Sequence, residues 1–191
     1  KEAYLDRIEY IIDKFDIKVL IPTADLELTL FSELIDDYRS RLNCAVLAQR
    51  RNAWKLFEDK WTAYQWLTTQ DIGTPDTYIP ENFSSQLDFP VIVKPRTGGG
   101  SRNIHIIHSK EQLKASLVLV PKPIIQKVIL PDNEEYTAGC FKWKNGEIDV
   151  IVLRRTLKFG MTNKAWVHKN RKIDNFCREV ALKSPLIGSF N

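Results

Sequence analysis

Phe89-Pro90-Val91-Ile92-Val93-Lys94-Pro95-Arg96-Thr97-Gly98-Gly99-Gly100-Ser101-Arg102-Asn103-Ile104 is the stretch on which the fold turns. Residues two apart on a strand share a face. Lys94 and Arg96 therefore point one way and Val91 and Val93 the other. Two cations thus lie on one face just before a run of glycines and a serine. Glycine lets backbone N–H groups approach an anion without a Cβ in the way, and the Ser101 hydroxyl adds a donor. Gly98, Gly99, Gly100 and Ser101 are a candidate phosphate cradle. The plain alternative is a hairpin tip flanked by solvated basic residues. The spacing fits neither GxxxxGK[ST] nor a GxGxxG that opens a helix. Here the loop joins strand to strand, over residues 89–96 and 103–108, so no helix dipole assists it.

Outward from this stretch, apolar spacing predicts helices over 4–15, from Asp25 as N-cap through Ile35, and over 51–70. Short strands are expected at Lys18–Thr23 and Ala45–Leu47. That alternation of helix and strand implies a parallel α/β unit. The helix over 51–70 is expected to end at Asp71-Ile72-Gly73-Thr74-Pro75, with glycine at its close and proline after. Trp54, Trp61 and Trp66 on its faces are core candidates. Ser109 is expected to cap a helix through Leu119. A strand follows at Ile124–Ile129, then strands 135–144 and 147–155 joined at Asn145-Gly146, a strong hairpin signal. A helix near Ile173–Leu182 comes last. Arg154 and Arg155 are strand neighbours and face opposite ways, so at most one enters a site.

Bulk properties narrow the function classes. The chain has 191 residues, 43% hydrophobic and 27% charged, with a net charge of +4. That mild excess suits an anionic ligand but is too dispersed to argue for nucleic acid. The longest apolar runs are strand-sized, so a bilayer span is not expected. The N-terminus opens an amphipathic helix rather than the apolar core of a signal peptide. It starts on Lys1 and not Met, as a cut or processed end would. Cys44, Cys140 and Cys177 show no CxxC spacing, which implies free thiols in a reducing, cytoplasmic setting.

Taken in order, a strand lysine, glycine loop, strand, capped helix, strand, acidic residue and hairpin resemble the ATP-grasp superfamily. The resemblance runs from about residue 51 onward, and its nearest flavour is the carbamoyl-phosphate synthase large chain. Asp59-Lys60 before a helix resembles the entry to that fold. FPVIVKPRTGGGSRNI resembles its lysine strand and phosphate-covering loop. PIIQKVILPDNEEYT resembles its adenine hinge, and VLRRTLKFGMT a later basic strand. The fold implied is α/β, of the α+β ATP-grasp kind. Residues 1–50 would be the end of a parallel pre-ATP-grasp domain and 51–72 linking helices. Residues 73–127 would form the small lobe, and 128–191 the first part of a truncated large lobe.

The resemblance also implies roles. Lys60 and Lys94 would contact ATP phosphates beside Arg96, and Gly98–Ser101 would fold over them. Gln126, Lys127, Val128 and Ile129 would form the hinge, with backbone groups meeting adenine. Glu135, or Glu134 in the other register, would accept from the ribose hydroxyls. Arg155 would hold transferred phosphate as the catalytic residue. Lys127 departs from the family's usual acidic residue. The family's magnesium ligands would lie beyond residue 191, with none in this chain. The implied activity is ligation: a carboxylate or bicarbonate is activated by ATP through an acyl phosphate and passed to an amine or ammonia. A non-catalytic nucleotide-binding or regulatory module is the alternative. Neither a membrane nor nucleic acid is an expected partner.

Overall fold

The computed structural model describes residues 1–41, 44–83, 88–130 and 134–191. The first fifty residues make a small parallel unit. Helix α1 (Glu2–Phe15) leads into β1 (Val19–Leu20), helix α2 (Asp25–Arg41) and β2 (Ala45–Val46). β1 and β2 pair in parallel, as the helix–strand alternation requires. Phe31 and Val46 are buried at the centre of this unit, with Leu5, Ile8, Leu20 and Leu34 around them. Asp25 is not the cap of α2 but its first residue. Glu27 does the capping instead, its carboxylate accepting from the backbone N–H of Thr23 and Ala24 at 3.3 and 3.4 Å.

The helix expected over 51–70 is broken in two, α3 (Arg51–Glu58) and α4 (Lys60–Thr69). The break is at Asp59, whose carboxylate accepts from the N–H groups of Trp61 and Thr62 at 2.8 and 3.2 Å. An N-cap has non-helical backbone, so the residue that starts α4 must end α3. Trp54, Trp61 and Trp66 are all half-buried. The Trp54 indole N–H donates to Thr29 Oγ1 at 3.0 Å, and Phe57 meets Trp66 edge to face at 5.2 Å. At the end of α4 it is Asp71, with φ 55°, that takes the left-handed conformation; Gly73 does not.

One four-stranded sheet follows, antiparallel, in the order β3 (Thr77–Tyr78), β6 (Pro123–Lys127), β4 (Val91–Pro95), β5 (His105–Ile107). Helix α5 (Lys110–Leu119) covers one of its faces. Ser109 caps α5, accepting from Gln112 N at 3.3 Å. Val91, Val93, Ile107, Leu113, Val120 and Ile125 form the core between helix and sheet, Val91, Val93 and Ile125 being wholly buried. The period-two alternation thus puts the valines inward and leaves Lys94 on the opposite face.

The second sheet has the order β10 (Gly188–Phe190), β7 (Glu135–Lys142), β8 (Ile148–Lys158), β9 (Met161–Val167), antiparallel throughout. Helix α6 (Arg171–Lys183) packs on β7 and β8. Lys142 Nζ donates to the carbonyls of Ala181 and Ser184 at 2.8 and 3.0 Å, placing a cation on the negative end of α6. The hairpin signal at Asn145-Gly146 is realised. Gly146 has φ 90°, and Asn145 Oδ1 accepts from Glu147 N at 3.0 Å. β8 runs three residues beyond its expected end and turns through Phe159-Gly160 into β9, a strand that hydrophobic patterning alone did not pick out. The turn expected between the hinge and Glu135 passes through Pro131, Asp132 and Asn133, which lie outside the described residues.

Gln49 ties the first unit to the far end of the chain. The side-chain amide of Gln49 donates to Ile187 O at 2.7 Å and accepts from Ile187 N at 3.1 Å. In effect it is one rung of strand pairing supplied by a side chain. All three cysteines are free, Cys44 and Cys140 buried. Burial pushes the Cys140 thiol up to about 11, so it is a poor nucleophile. Among the described residues no helix is long and apolar enough to cross a membrane.

Candidate functional site

The end of β4 and the start of α4 are stitched together. Lys60 N donates to Arg96 O at 2.9 Å. Arg96 reaches back to Asp59, its Nε 2.8 Å from Oδ2 and its terminal nitrogen 2.7 Å from the same oxygen. The carboxylate that caps α4 is therefore also the anchor of Arg96. Burial works to raise the Asp59 pKa. The Arg96 hydrogen bond, the Thr62 and Trp61 N–H groups and the charge of Arg96 outweigh it and hold the group below its ordinary value. Arg96 is thus engaged within the fold.

Lys60, first residue of α4, sends its ammonium to Gly98 O at 2.8 Å and to Arg96 O at 3.4 Å. Burial lowers its pKa, against the pull of Asp59 and Asp25. Lys94 donates to Gln126 Oε1 at 2.7 Å. Burial lowers its pKa as well, and the charge of Lys60 adds to the effect. Among the described residues Lys94 has no carboxylate in ion-pair contact. Two ammonium groups that feel each other, with no acid directly paired to the inner one, are an unsatisfied demand for an anion.

The loop between β4 and β5 carries left-handed backbone at Gly98 (φ 91°), Gly100 (φ 68°), Ser101 (φ 55°) and Asn103 (φ 54°). Asp25, from the first unit, lies against it: a Cβ on Gly99 would come within 3.8 Å of its carboxylate. At the tip, Ser101 Oγ donates to Gly160 O at 3.0 Å. The glycine loop therefore rests on the β8–β9 turn, the second sheet's contribution to the site. A Cβ on Gly160 would fall 2.3 Å from Ser101 Cβ, and Gly160 also has φ 74°. Gly160→Ala is therefore expected to push loop and turn apart. The exposed loop gives way, so stability falls only about 1–2 kcal/mol for the left-handed alanine. Amide exchange of Gly98–Ser101 should quicken markedly, as the Ser101 hydrogen bond to Gly160 is lost.

At the hinge, Gln126 ends in the Lys94 contact described above. Lys127 N is already donated to Asp76 O at 2.9 Å. A hinge donor to a ligand must then come from Val128 or Ile129, of which Ile129 is exposed. Glu135 opens β7 directly opposite Arg155 on β8. Arg155 Nε and a terminal nitrogen approach Glu135 Oε2 at 3.3 and 3.2 Å, and the other terminal nitrogen reaches Thr162 Oγ1 at 3.2 Å. Arg154 instead shares its row with Tyr136 and Trp166, so the two arginines do face opposite ways. By their contacts the expected residues form two groups: Lys60, Lys94, Arg96, Gly98 and Gln126 around the loop, and Glu135 with Arg155 on the second sheet. Sequence reasoning did not find Asp25, Thr77 or Gly160. Only Gly160 leaves a signal, a glycine within an otherwise strand-like run.

A glycine loop with two lysines at its root thus rests on a hairpin of a second antiparallel sheet. The family described as ATP-grasp domain matches residues 57–189, and the chain belongs to that family. D-alanine–D-alanine ligase of Fusobacterium nucleatum is 34% identical over 89 residues, 47% of this chain and 29% of that protein. The chain spans 29–36% of the length of that ligase and its Bacillus anthracis counterpart. Among solved structures, the fold is shared with the biotin carboxylase domain of Hydrogenobacter thermophilus 2-oxoglutarate carboxylase, solved with MgADP, ADP and bicarbonate. Its TM-score is 0.75 at 13% identity, over 96% of this chain and 46% of that one. The Helicobacter pylori D-alanine–D-alanine ligase gives 0.60 at 17% identity, over 83% and 54%.

Proposed function

We propose that this chain grips ATP within an ATP-dependent ligase, which activates a carboxylate or bicarbonate as an acyl phosphate for an amine or ammonia. The observation that carries the reading is the pair Lys60 and Lys94, desolvated and mutually repelling at the root of the glycine loop. A triphosphate neutralises both, and such neutralisation with positioning is most of what phosphoryl transfer needs.

In this reading Gly98–Ser101 lie over the phosphates, with Ser101 exchanging its Gly160 acceptor for a phosphate oxygen. Val128 and Ile129 give adenine a backbone donor and acceptor, and Arg96 shapes the loop root from its Asp59 anchor. Glu135 turns from Arg155 to the ribose hydroxyls, which frees Arg155 for the transferred phosphate. Residues 73–127 and 128–191 act as the two lobes, with 1–50 as the preceding α/β unit and 51–72 linking them. The family relatives named as D-alanine–D-alanine ligases support ligation as the chemistry. A carbamoyl-phosphate synthase-like substrate, bicarbonate with ammonia, is the finer reading drawn from the motif order. Among the described residues no three His, Cys, Asp or Glu side chains gather as a metal site.

Calorimetric titration with ATP in the presence of magnesium tests the reading. Saturable binding below millimolar ATP is expected, with inorganic phosphate alone binding far more weakly. Failure to bind up to millimolar ATP would sink it. Where binding holds, ADP formation by the longest natural chain on addition of a carboxylate and an amine separates a ligase from a nucleotide-binding module.

A further inference from the structure

We propose that Thr77 is a positioning residue for the Lys94 ammonium, acting through the side-chain amide of Gln126. Three adjacent strands bring these side chains to one face. Thr77 on β3 lies directly opposite Gln126 on β6, and Gln126 lies opposite Ile92 on β4, two residues before Lys94. The hydrogen bonds then run in one direction. Lys94 Nζ donates to Gln126 Oε1 at 2.7 Å, Gln126 Nε2 donates to Thr77 Oγ1 at 2.7 Å, and the Thr77 hydroxyl donates to Pro75 O at 2.8 Å.

The direction is forced from the far end. A hydroxyl has a single proton, and that of Thr77 is committed to a backbone carbonyl. Toward Gln126 it can only accept, so the amide must present its nitrogen there. The amide oxygen is then left facing Lys94. Turned over, the amide would set an N–H group against an ammonium and its oxygen against a hydroxyl with no proton to give. Thr77 is 1% exposed, so water cannot replace it. The acceptor that holds Lys94 at the loop root is thus oriented by a residue one hydrogen bond removed from the lysine.

Proline supplies the fixed end. Pro75 has no N–H of its own, and its carbonyl serves as acceptor for the whole chain of bonds. Because each bond polarises the next, loss of the last one weakens the first.

The inference rests on the nucleotide reading for its functional meaning, yet it can be tested without nucleotide. Lys94 titration is followed by 13C NMR of its ε-methylene in the ligand-free protein. Thr77→Val keeps the shape and removes the proton. With the amide free to turn, the ammonium loses its oriented acceptor, so the Lys94 midpoint should fall by roughly half a pH unit or more. Thr77→Ser should restore it. ATP affinity at neutral pH should fall about 3- to 10-fold in Thr77→Val and recover in Thr77→Ser. Should Thr77→Val fold poorly, Gln126→Met removes the amide itself and should give the same lowered midpoint. A double variant should add nothing further, as members of one network are not additive. A wild-type midpoint in Thr77→Val or Gln126→Met, or no recovery with serine, overturns the proposal. Absence of ATP binding by the wild-type chain overturns the nucleotide reading alone and leaves the NMR result standing.

Discussion

Lys94→Ala is expected to weaken ATP binding about 10- to 100-fold while the protein stays folded. A hydrogen bond to a charged group contributes about 1.5–3 kcal/mol, and each 1.4 kcal/mol is a factor of ten. Removing the ammonium relieves a desolvated charge and its repulsion from Lys60, but it leaves Gln126 Oε1 without its donor. These effects oppose, so the thermal midpoint should move little although affinity collapses. Calorimetry and thermal unfolding on the same sample make the comparison. A large fall in both would mean that Lys94 is structural. The pH dependence follows from the lowered pKa. In the free protein Lys94 holds fewer protons than in the unfolded chain between its lowered pKa and 10.5, so it makes stability rise with pH across that window. Phosphate needs the protonated form. ATP affinity should therefore decline as pH climbs through the lowered Lys94 pKa, before an ordinary lysine would lose its proton. Lys94→Arg should remove that decline.

Asp59→Ala is the largest loss of stability expected from a single charge. It removes the cap of α4, worth about 1 kcal/mol, and strands Arg96 without its carboxylate. Breaking a buried pair costs about 3–5 kcal/mol, and partial exposure of both partners reduces this, so about 2–4 kcal/mol in total is expected. For a chain of this size that is a fall in Tm of about 5–15 °C. Because the Asp59 pKa is lowered in the folded state, its contribution is complete above 3.8 and disappears as pH falls through the folded value. Asp59→Asn should therefore flatten the acid limb of the stability curve while keeping part of the cap. The same residue precedes Lys60 and holds the strand that leads into the loop. Asp59→Ala should thus weaken nucleotide binding as well, whereas an exposed aspartate such as Asp6 replaced by alanine should do neither.

Local chemistry made much of this molecule readable from its sequence. The valines of β4, the Ser109 cap and the Asn145-Gly146 hairpin follow from patterns within a few residues, and the parallel pairing of β1 with β2 from the helix that joins them. What stayed hidden depends on distant partners. Asp59 and Arg96 are 37 residues apart, and only the folded chain reveals that Arg96 is committed to a helix cap. Thr77 is 49 residues from the amide it orients. β9 is exposed at every position, so its pattern bears no imprint of a core, and its pairing is set by the turn before it. The loop residues were readable as a candidate cradle because glycine and lysine declare their chemistry. Their present engagements were not, since Gly160 and Asp25 come from other parts of the fold.

The amide of Gln49 that pairs with the backbone of Ile187 has a consequence for how the chain is made. Helices α1 and α2 and their two short strands leave the ribosome well before residue 187, and at ordinary elongation rates they wait several seconds or more for that counterpart. During that interval the unit can form its own core around Phe31 and Val46, but this rung of its seam with β10 cannot close until residue 187 has emerged. Closure of this seam is thus a late, post-emergence event, although α2 can already meet α3, and translational pauses within β7 to α6 would delay it.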